Sequence, residues 1–156
     1  MSQIPGTVVR VNGAGVLIRG EAGTGKSDTA LQLLRAGHQL VADDAVMLTR
    51  HDDRLIARAP AAGHGQLCLR GPGLIEVGRH FGRSALADCT VIDWSVALTQ
   101  SRRPATAEGD WQTLTIDGIE LAQLALAPER PVAAMIELLA GTAPSPRPGP
   151  EARACG

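Results

Sequence analysis

Tyrosine is missing from this 156-residue chain, and Phe81, Trp94 and Trp111 are its whole aromatic content. With 44% hydrophobic residues the core must be built mostly from Ala, Val, Leu and Ile. Net charge is nearly missing too: 15 basic residues face 16 acidic ones, for a formal charge of -1. That balance leaves no footprint for nucleic acid or an anionic membrane. No apolar run approaches the roughly 18 residues that span a bilayer, and the N-terminus lacks the basic-then-apolar pattern of a secretory signal. Cys68, Cys89 and Cys155 follow neither a metal-pair spacing nor a disulfide framework, which fits a reducing cytoplasm. No segment repeats, and the length is that of one domain.

The scarcest charged residue is lysine. Fourteen of the 15 basic residues are Arg, and Lys26 is the one exception. A chain that writes Arg everywhere else needs an ammonium at that position. Lys26 lies in Gly20-Glu21-Ala22-Gly23-Thr24-Gly25-Lys26-Ser27, which satisfies GxxxxGK[ST]. Chance would produce that pattern in this composition about once in a thousand such chains. Glycines let successive N–H groups wrap a phosphate, and the N-terminus of the following helix adds its positive dipole end. Lys26 reaches the β and γ oxygens of a nucleotide such as ATP, and the Ser27 hydroxyl is a Mg²⁺ ligand.

The surrounding pattern supplies the context this loop needs. Thr7 to Val11 and Ala14 to Ile18 read as strands, the second buried on both faces. Thr29, Ala30, Leu31, Leu33 and Leu34 have helical spacing, and Gly37 ends that helix. Leu40 to Ala42 is a strand stopping at Asp43-Asp44, so a βαβ-like unit opens the chain. Ala45 to Thr49 and Arg54 to Arg58 form a hairpin. Leu67 to Arg70 and Thr90 to Leu98 are further strands, and residues 100 to 112 read as loop. Thr113 to Ile116 and Ile119 to Leu126 flank an Asp-Gly turn, and a last helix starts near Pro131. Residues 1–141 make the domain; residues 142–156, with Pro144, Pro146, Pro148 and Pro150, read as a disordered tail. The fold class is α/β, a mixed sheet with flanking helices.

Asp43 and Asp44 follow an apolar strand and therefore stand at the carboxyl edge of a sheet whose neighbouring strand feeds the phosphate loop, where ligands bind in open α/β sheets. One carboxylate takes the proton of a substrate hydroxyl and the other serves the metal or holds the loop. Neighbouring residues of a strand point to opposite faces, so the pattern does not divide these roles. His38 follows a helix C-terminus and reads as a cap on its carbonyls. His64 and His80 lack metal-ligand spacing. Cys89 reads as a small core residue. Arg79, Arg83, Arg102 and Arg103 read as solvated.

The run from Gly15 to Asp44, with Ser27-Asp28-Thr29-Ala30-Leu31 and Gly37-His38-Gln39-Leu40-Val41-Ala42-Asp43-Asp44, resembles the catalytic domain of the HPr kinase/phosphorylase family. Arg70-Gly71-Pro72-Gly73-Leu74-Ile75 resembles that family's RGLGI run, and Gly118 to Leu139 is weakly similar. The resemblance implies a short form, without the family's N-terminal regulatory domain. It implies a Mg²⁺-dependent, ATP-using enzyme that phosphorylates a serine of the phosphocarrier protein of the sugar phosphotransferase system, and removes it by phosphorolysis. It makes Lys26 the catalytic lysine, Ser27 a Mg²⁺ ligand and Asp44 of the Asp43-Asp44 pair the proton acceptor. It also implies a homo-hexamer, and it matches Arg130-Pro131 to a stretch used in phosphorolysis.

Two positions depart from the family pattern. Pro5 stands where the family has a histidine partnering the catalytic carboxylate, and Cys68 stands where it has a Mg²⁺-binding glutamate. Proline cannot tune a carboxylate, and a thiol is a poor ligand for a hard cation. Glu76 lies beyond a turn, eight residues past Cys68. These departures keep open a degenerate nucleotide-binding or phosphate-sensing regulator, and a small-molecule kinase that has changed acceptor.

Overall fold

The computed structural model of the protein describes residues 1–100 and 104–140. Strands β2 (Thr7–Val11) and β3 (Ala14–Gly20) are paired antiparallel through Asn12-Gly13, whose φ angles are 51° and 82°. Asn and Gly are the residues that tolerate this left-handed turn, which suits a tight hairpin. The phosphate loop follows β3 and leads into helix α1 (Lys26–Arg35). Thr29, Ala30, Leu33 and Leu34 form its buried face. The helix ends where the sequence predicts: Gly37 takes φ 96°, its N–H donates to Leu34 O at 3.0 Å, and the His38 N–H donates to Leu33 O at 3.0 Å. This is the Schellman pattern of satisfying the last carbonyls.

Strand β4 (Gln39–Ala42) departs from the expected neighbour relation. It pairs with β2 rather than with β3, and β2 is antiparallel to both. The local β2–β3 hairpin occupies the edge of β3 that a simple βαβ unit would have given to β4. Strands β3 and β4 nevertheless run in the same direction. Their carboxyl ends, and the start of β2, therefore lie along one edge of the sheet.

The central strand is β9 (Cys89–Leu98). It lies parallel to β3, and it divides the sheet. Its first residues pair with β6 (Arg54–Arg58), which continues through β5 (Ala45–His51) to β1 (Ser2–Pro5). Its last residues pair with β11 (Ile119–Leu126), the partner of β10 (Trp111–Ile116). The two branches enclose one core, containing Val8, Leu17, Val46, Leu48, Leu55 and Ile92. The opposite face holds Val9, Val16, Ile18, Trp94 and Val96 against α1 and helix α3 (Val132–Leu139). Val8 and Val9, like Leu17 and Ile18, thus point into different cores, as the two-residue period of a strand requires. The result is the mixed α/β sheet with flanking helices that the sequence predicts.

Where β9 passes Gly15 the register slips, with Gly15 opposite Ile92 and Val16 opposite Trp94. Asp93 is the additional residue, and its Oδ2 accepts the Gly15 N–H at 2.8 Å. Burial pushes the Asp93 carboxyl above its ordinary pKa, while this hydrogen bond and the Arg10 charge pull the other way.

Several elements were not apparent in the sequence. Strand β1 and strand β8 (Gly73–Glu76) are four-residue strands in which exposed and half-buried residues alternate, and helix α2 (Val77–Phe81) is short. Strand β10 begins inside the expected loop, at Trp111, whose ring packs on Trp94 with centroids 5.8 Å apart. Strand β7 (Gln66–Leu69) pairs with β8 as a separate hairpin, anchored by Leu67 and Leu69 in the helix-side core. The expected tail and the pair Arg102 and Arg103 lie outside the described residues. No helix among the described residues is long and apolar enough to cross a membrane.

Candidate functional site

The phosphate loop is closed on itself before it reaches the helix. A Cβ on Gly20 would stand 2.6 Å from Thr24 Oγ1 and 3.1 Å from Leu98 O, so a side chain there has no room. Thr24 donates to Glu21 O from its N–H at 3.2 Å and from its hydroxyl at 2.8 Å. Gly23 and Gly25 have φ of 83° and 97°, which glycine adopts without steric cost. Gly25 is the residue that caps α1, placing the helix N-terminus at the loop. Lys26 Nζ spans the loop, donating to Gly20 O at 2.7 Å and to Glu21 O at 3.0 Å.

The two carboxylates have separate surroundings. Asp43 follows β4, and its Oδ1 accepts the hydroxyl of Thr7, the buried first residue of β2, at 2.8 Å. Ser27 Oγ lies 3.0 Å from both Asp43 oxygens. The Cys68 N–H donates to Asp43 Oδ2 at 3.0 Å, so the β7–β8 hairpin is also tied to this carboxylate. Asp44 has φ 69° and is exposed. Its carbonyl accepts the Gly6 N–H at 3.1 Å, whereas its carboxylate has no protein partner among the described residues.

A cavity of about 300 Å³ joins these groups. Ala22, Gly23, Gly25, Lys26 and Ser27 line it from the loop side, and Asp43 and Asp44 from the sheet edge. Gly20, Glu21 and Thr24 shape the loop without lining the cavity. Cys68 does line it. Asp28 and Arg70 line it as well, and neither was assigned a site role from the sequence. Thr7 was missed too; its only signal is a hydroxyl opening an otherwise apolar strand.

Other candidates lie elsewhere. Pro5 pairs with Ala45, the residue that follows Asp44 in the chain, and does not line the cavity. Glu76 faces Gln66 across the hairpin and approaches Arg79 at 3.6 Å, outside the cavity lining. His38 does not use its ring to cap helix carbonyls as expected; its Nε2 meets Glu137 Oε2 of α3 at 3.0 Å. His64 meets Asp88 at 3.2 Å, and no cluster of three or more His, Cys, Asp or Glu could hold a metal among the described residues. Arg130 is exposed ahead of α3 and does not line the cavity.

Residues 1–149 match the family model described as HPr Serine kinase C-terminal domain. The chain belongs to this family. Among curated relatives of this HPr serine kinase C-terminal domain, the HPr kinase/phosphorylase of Clostridium tetani is 40% identical over 118 residues, covering 76% of this chain and 37% of the relative. That of Clostridium beijerinckii is 36% identical over 148 residues, covering 89% and 48%. The chain thus spans less than half the length of these curated relatives. The solved Hpr(Ser) kinase/phosphatase from Coxiella burnetii superposes with a TM-score of 0.82 at 30% identity, covering 89% of this chain and 88% of that one.

Proposed function

We propose that this chain is the catalytic unit of a Mg²⁺-dependent, ATP-using protein serine kinase. Its acceptor is a phosphocarrier protein of the sugar phosphotransferase system in the cytoplasm, and it also removes the phosphate by phosphorolysis. The observation that carries the reading is the Ser27 hydroxyl 3.0 Å from both oxygens of Asp43, at the mouth of a complete phosphate loop. Family membership supports the reaction class. The name of the relatives supports the acceptor.

The donor set fits the cation. Ser27 and Asp43 offer hard oxygen atoms, and Mg²⁺ is commonly held by one or two such side chains together with substrate phosphates. The cavity is lined by three carboxylates, Asp28, Asp43 and Asp44, against two cations, Lys26 and Arg70. That excess of negative charge favours a divalent cation. Mg²⁺, when bound, offsets the charge of the phosphate oxygens. The loop N–H groups and Lys26 hold the phosphates in line with the acceptor, which is where most of the rate arises in phosphoryl transfer. Asp44, whose carboxylate has no protein partner among the described residues, accepts the proton of the serine hydroxyl. In phosphorolysis it returns that proton. Assembly as a hexamer remains part of this reading through the family resemblance alone.

A second reading is favoured by Cys68 and Pro5. A thiol lines the cavity where the family resemblance expects a glutamate, and a residue that cannot titrate pairs with Ala45, next in the chain to Asp44. On this reading the chain is a nucleotide-binding or phosphate-sensing regulator without efficient phosphotransfer. Incubation with labelled ATP, Mg²⁺ and the phosphocarrier protein of the same organism separates the two. Label on a serine, lost in Lys26→Ala, supports the kinase. Tight nucleotide binding with no transfer to any serine acceptor supports the regulator.

A further inference from the structure

Thr7 is wholly buried, yet its side chain is polar. A buried hydroxyl is costly unless it is hydrogen-bonded, and this one donates to Asp43 Oδ1 at 2.8 Å. The bond depends on an irregularity between β2 and β4. Arg10 faces Gln39 and Val9 faces Leu40, but Val8 faces Ala42, so Val41 is an additional residue on β4. Continued without that slip, the register would set Asp43 against Gly6, which has no side chain to offer. With the slip, the next residues along the two strands are Thr7 and Asp43. Thr7 lies on the helix side of the sheet, with Val9 two residues on and its partner Ile18. A bulge that re-aims one side chain beside a site is a recurrent use of this device.

The hold on Asp43 is two-sided. Thr7 donates to Oδ1 from β2, and the Cys68 N–H donates to Oδ2 at 3.0 Å from β7. With one donor on each oxygen, the carboxylate cannot turn about its Cβ–Cγ bond without losing both. Its plane, and the side it turns to Ser27 at 3.0 Å, are therefore set by the sheet and the hairpin together. The donor at position 68 is backbone and is there whatever side chain stands at that residue. The donor at position 7 is a side chain, so this half of the hold is a choice of sequence.

We infer that Thr7 is a positioning residue of the phosphotransfer site, whose hydroxyl orients Asp43 and thereby sets the affinity for nucleotide together with Mg²⁺. The inference rests on the kinase reading above and adds to it a residue that acts only through another, since Thr7 does not line the cavity. Removing a partner that orients a metal-binding side chain typically costs about 10–100-fold in metal affinity or activity.

The test compares the wild type with Thr7→Val, which keeps the shape and removes the hydroxyl, and Thr7→Ser, which keeps the hydroxyl. Melting curves establish that each is folded; should Thr7→Val not fold, Thr7→Cys, with its far weaker donor, is read in its place. Calorimetry measures ADP binding with Mg²⁺ and, separately, in EDTA. Thr7→Val should bind Mg·ADP about 10–100-fold more weakly than wild type, bind ADP in EDTA within about threefold, and lower kcat more than it raises KM for the phosphocarrier protein. Thr7→Ser should recover most of the Mg²⁺-dependent affinity. Three results would overturn the role of Thr7 while leaving the nucleotide site intact: wild-type Mg·ADP binding in folded Thr7→Val, an equal loss with and without Mg²⁺, or a Thr7→Ser as weak as Thr7→Val. Failure of the folded wild type to bind ADP more tightly with Mg²⁺ would instead overturn the kinase reading, and this inference with it.

Discussion

Ser27 Oγ stands 3.0 Å from each oxygen of Asp43, joining the first turn of α1 to the end of β4. Thr7 and the Cys68 N–H complete the ring of donors around the same carboxylate. Asp43 is therefore oriented by three separate parts of the chain, and its neighbour Asp44 by none through its side chain among the described residues. The proposed division of these adjacent aspartates between positioning and proton transfer rests on this unequal tethering.

Lys26→Ala should remove most of the rise in melting temperature that Mg·ATP or Mg·ADP confers. A ligand at about 100 times its Kd adds about 2.7 kcal/mol to stability. A thermal melt of wild type and variant at millimolar nucleotide checks this, and no shift in the folded wild type would dismiss the phosphate loop as a binding site.

Substitution of the two aspartates should give different losses. Asp43→Asn places an amide where Ser27 and Cys68 donate, so it should weaken Mg²⁺-dependent nucleotide binding and cost about 1–3 kcal/mol of stability. Asp44→Asn should leave binding nearly intact and slow phosphotransfer by about 10²–10⁴-fold. Calorimetry and single-turnover rates read the two separately; equal effects on binding would reverse or merge the roles assigned here.

The phosphate loop and the Asp43-Asp44 pair were legible because their signals are local: a fixed glycine spacing, a single lysine, and acids directly after an apolar run. The sheet order was not. Gly15 and Asp93, or Leu17 and Ser95, meet across 78 residues, and nothing in either segment announces the other. The four-residue strands Ser2–Pro5 and Gly73–Glu76 lack the apolar run by which Val8 or Val16 disclosed theirs. Arg70 was visible only as part of a resembling motif, since its place over the loop is created by tertiary anchoring of Leu67 and Leu69.

Cys68 is an exposed free thiol in the cavity wall. Saturating Mg·ADP should therefore slow its alkylation by iodoacetamide, read by mass spectrometry of the peptide that contains it. Cys68→Glu should also tighten Mg²⁺-dependent binding, because a carboxylate is the better ligand for a hard cation and the backbone N–H to Asp43 is retained. Unchanged alkylation with the site filled would remove Cys68 from the nucleotide's surroundings.

Asp93 gives the protein a pH response of defined sign. Burial raises its pKa in the folded state, so between the ordinary and the raised pKa the native protein binds more proton than the unfolded chain does. Stability from this group is therefore greatest at or below the ordinary carboxylate range, falls as pH rises through the native pKa, and then levels off. Asp93→Asn keeps an acceptor for the Gly15 N–H without the buried charge. Its melting temperature should exceed that of wild type at about pH 7, with the gap closing towards about pH 4. A constant gap across that range would show that the carboxyl does not titrate in this window.

Strand β3 receives its two neighbours at very different moments of synthesis. Its partner β2 precedes it directly, whereas β9 arrives only after another 78 residues have been added. Until then β3 is an open edge able to recruit other strands, and Gly20 lacks the Leu98 wall that confines the loop. A nascent chain released before Leu98 should therefore carry the complete GxxxxGK[ST] motif without the wall against which its loop closes. Ribosome-bound fragments of increasing length should acquire nucleotide protection abruptly once β9 has emerged, a late and cooperative closure of the kind that long sequence separation imposes on folding.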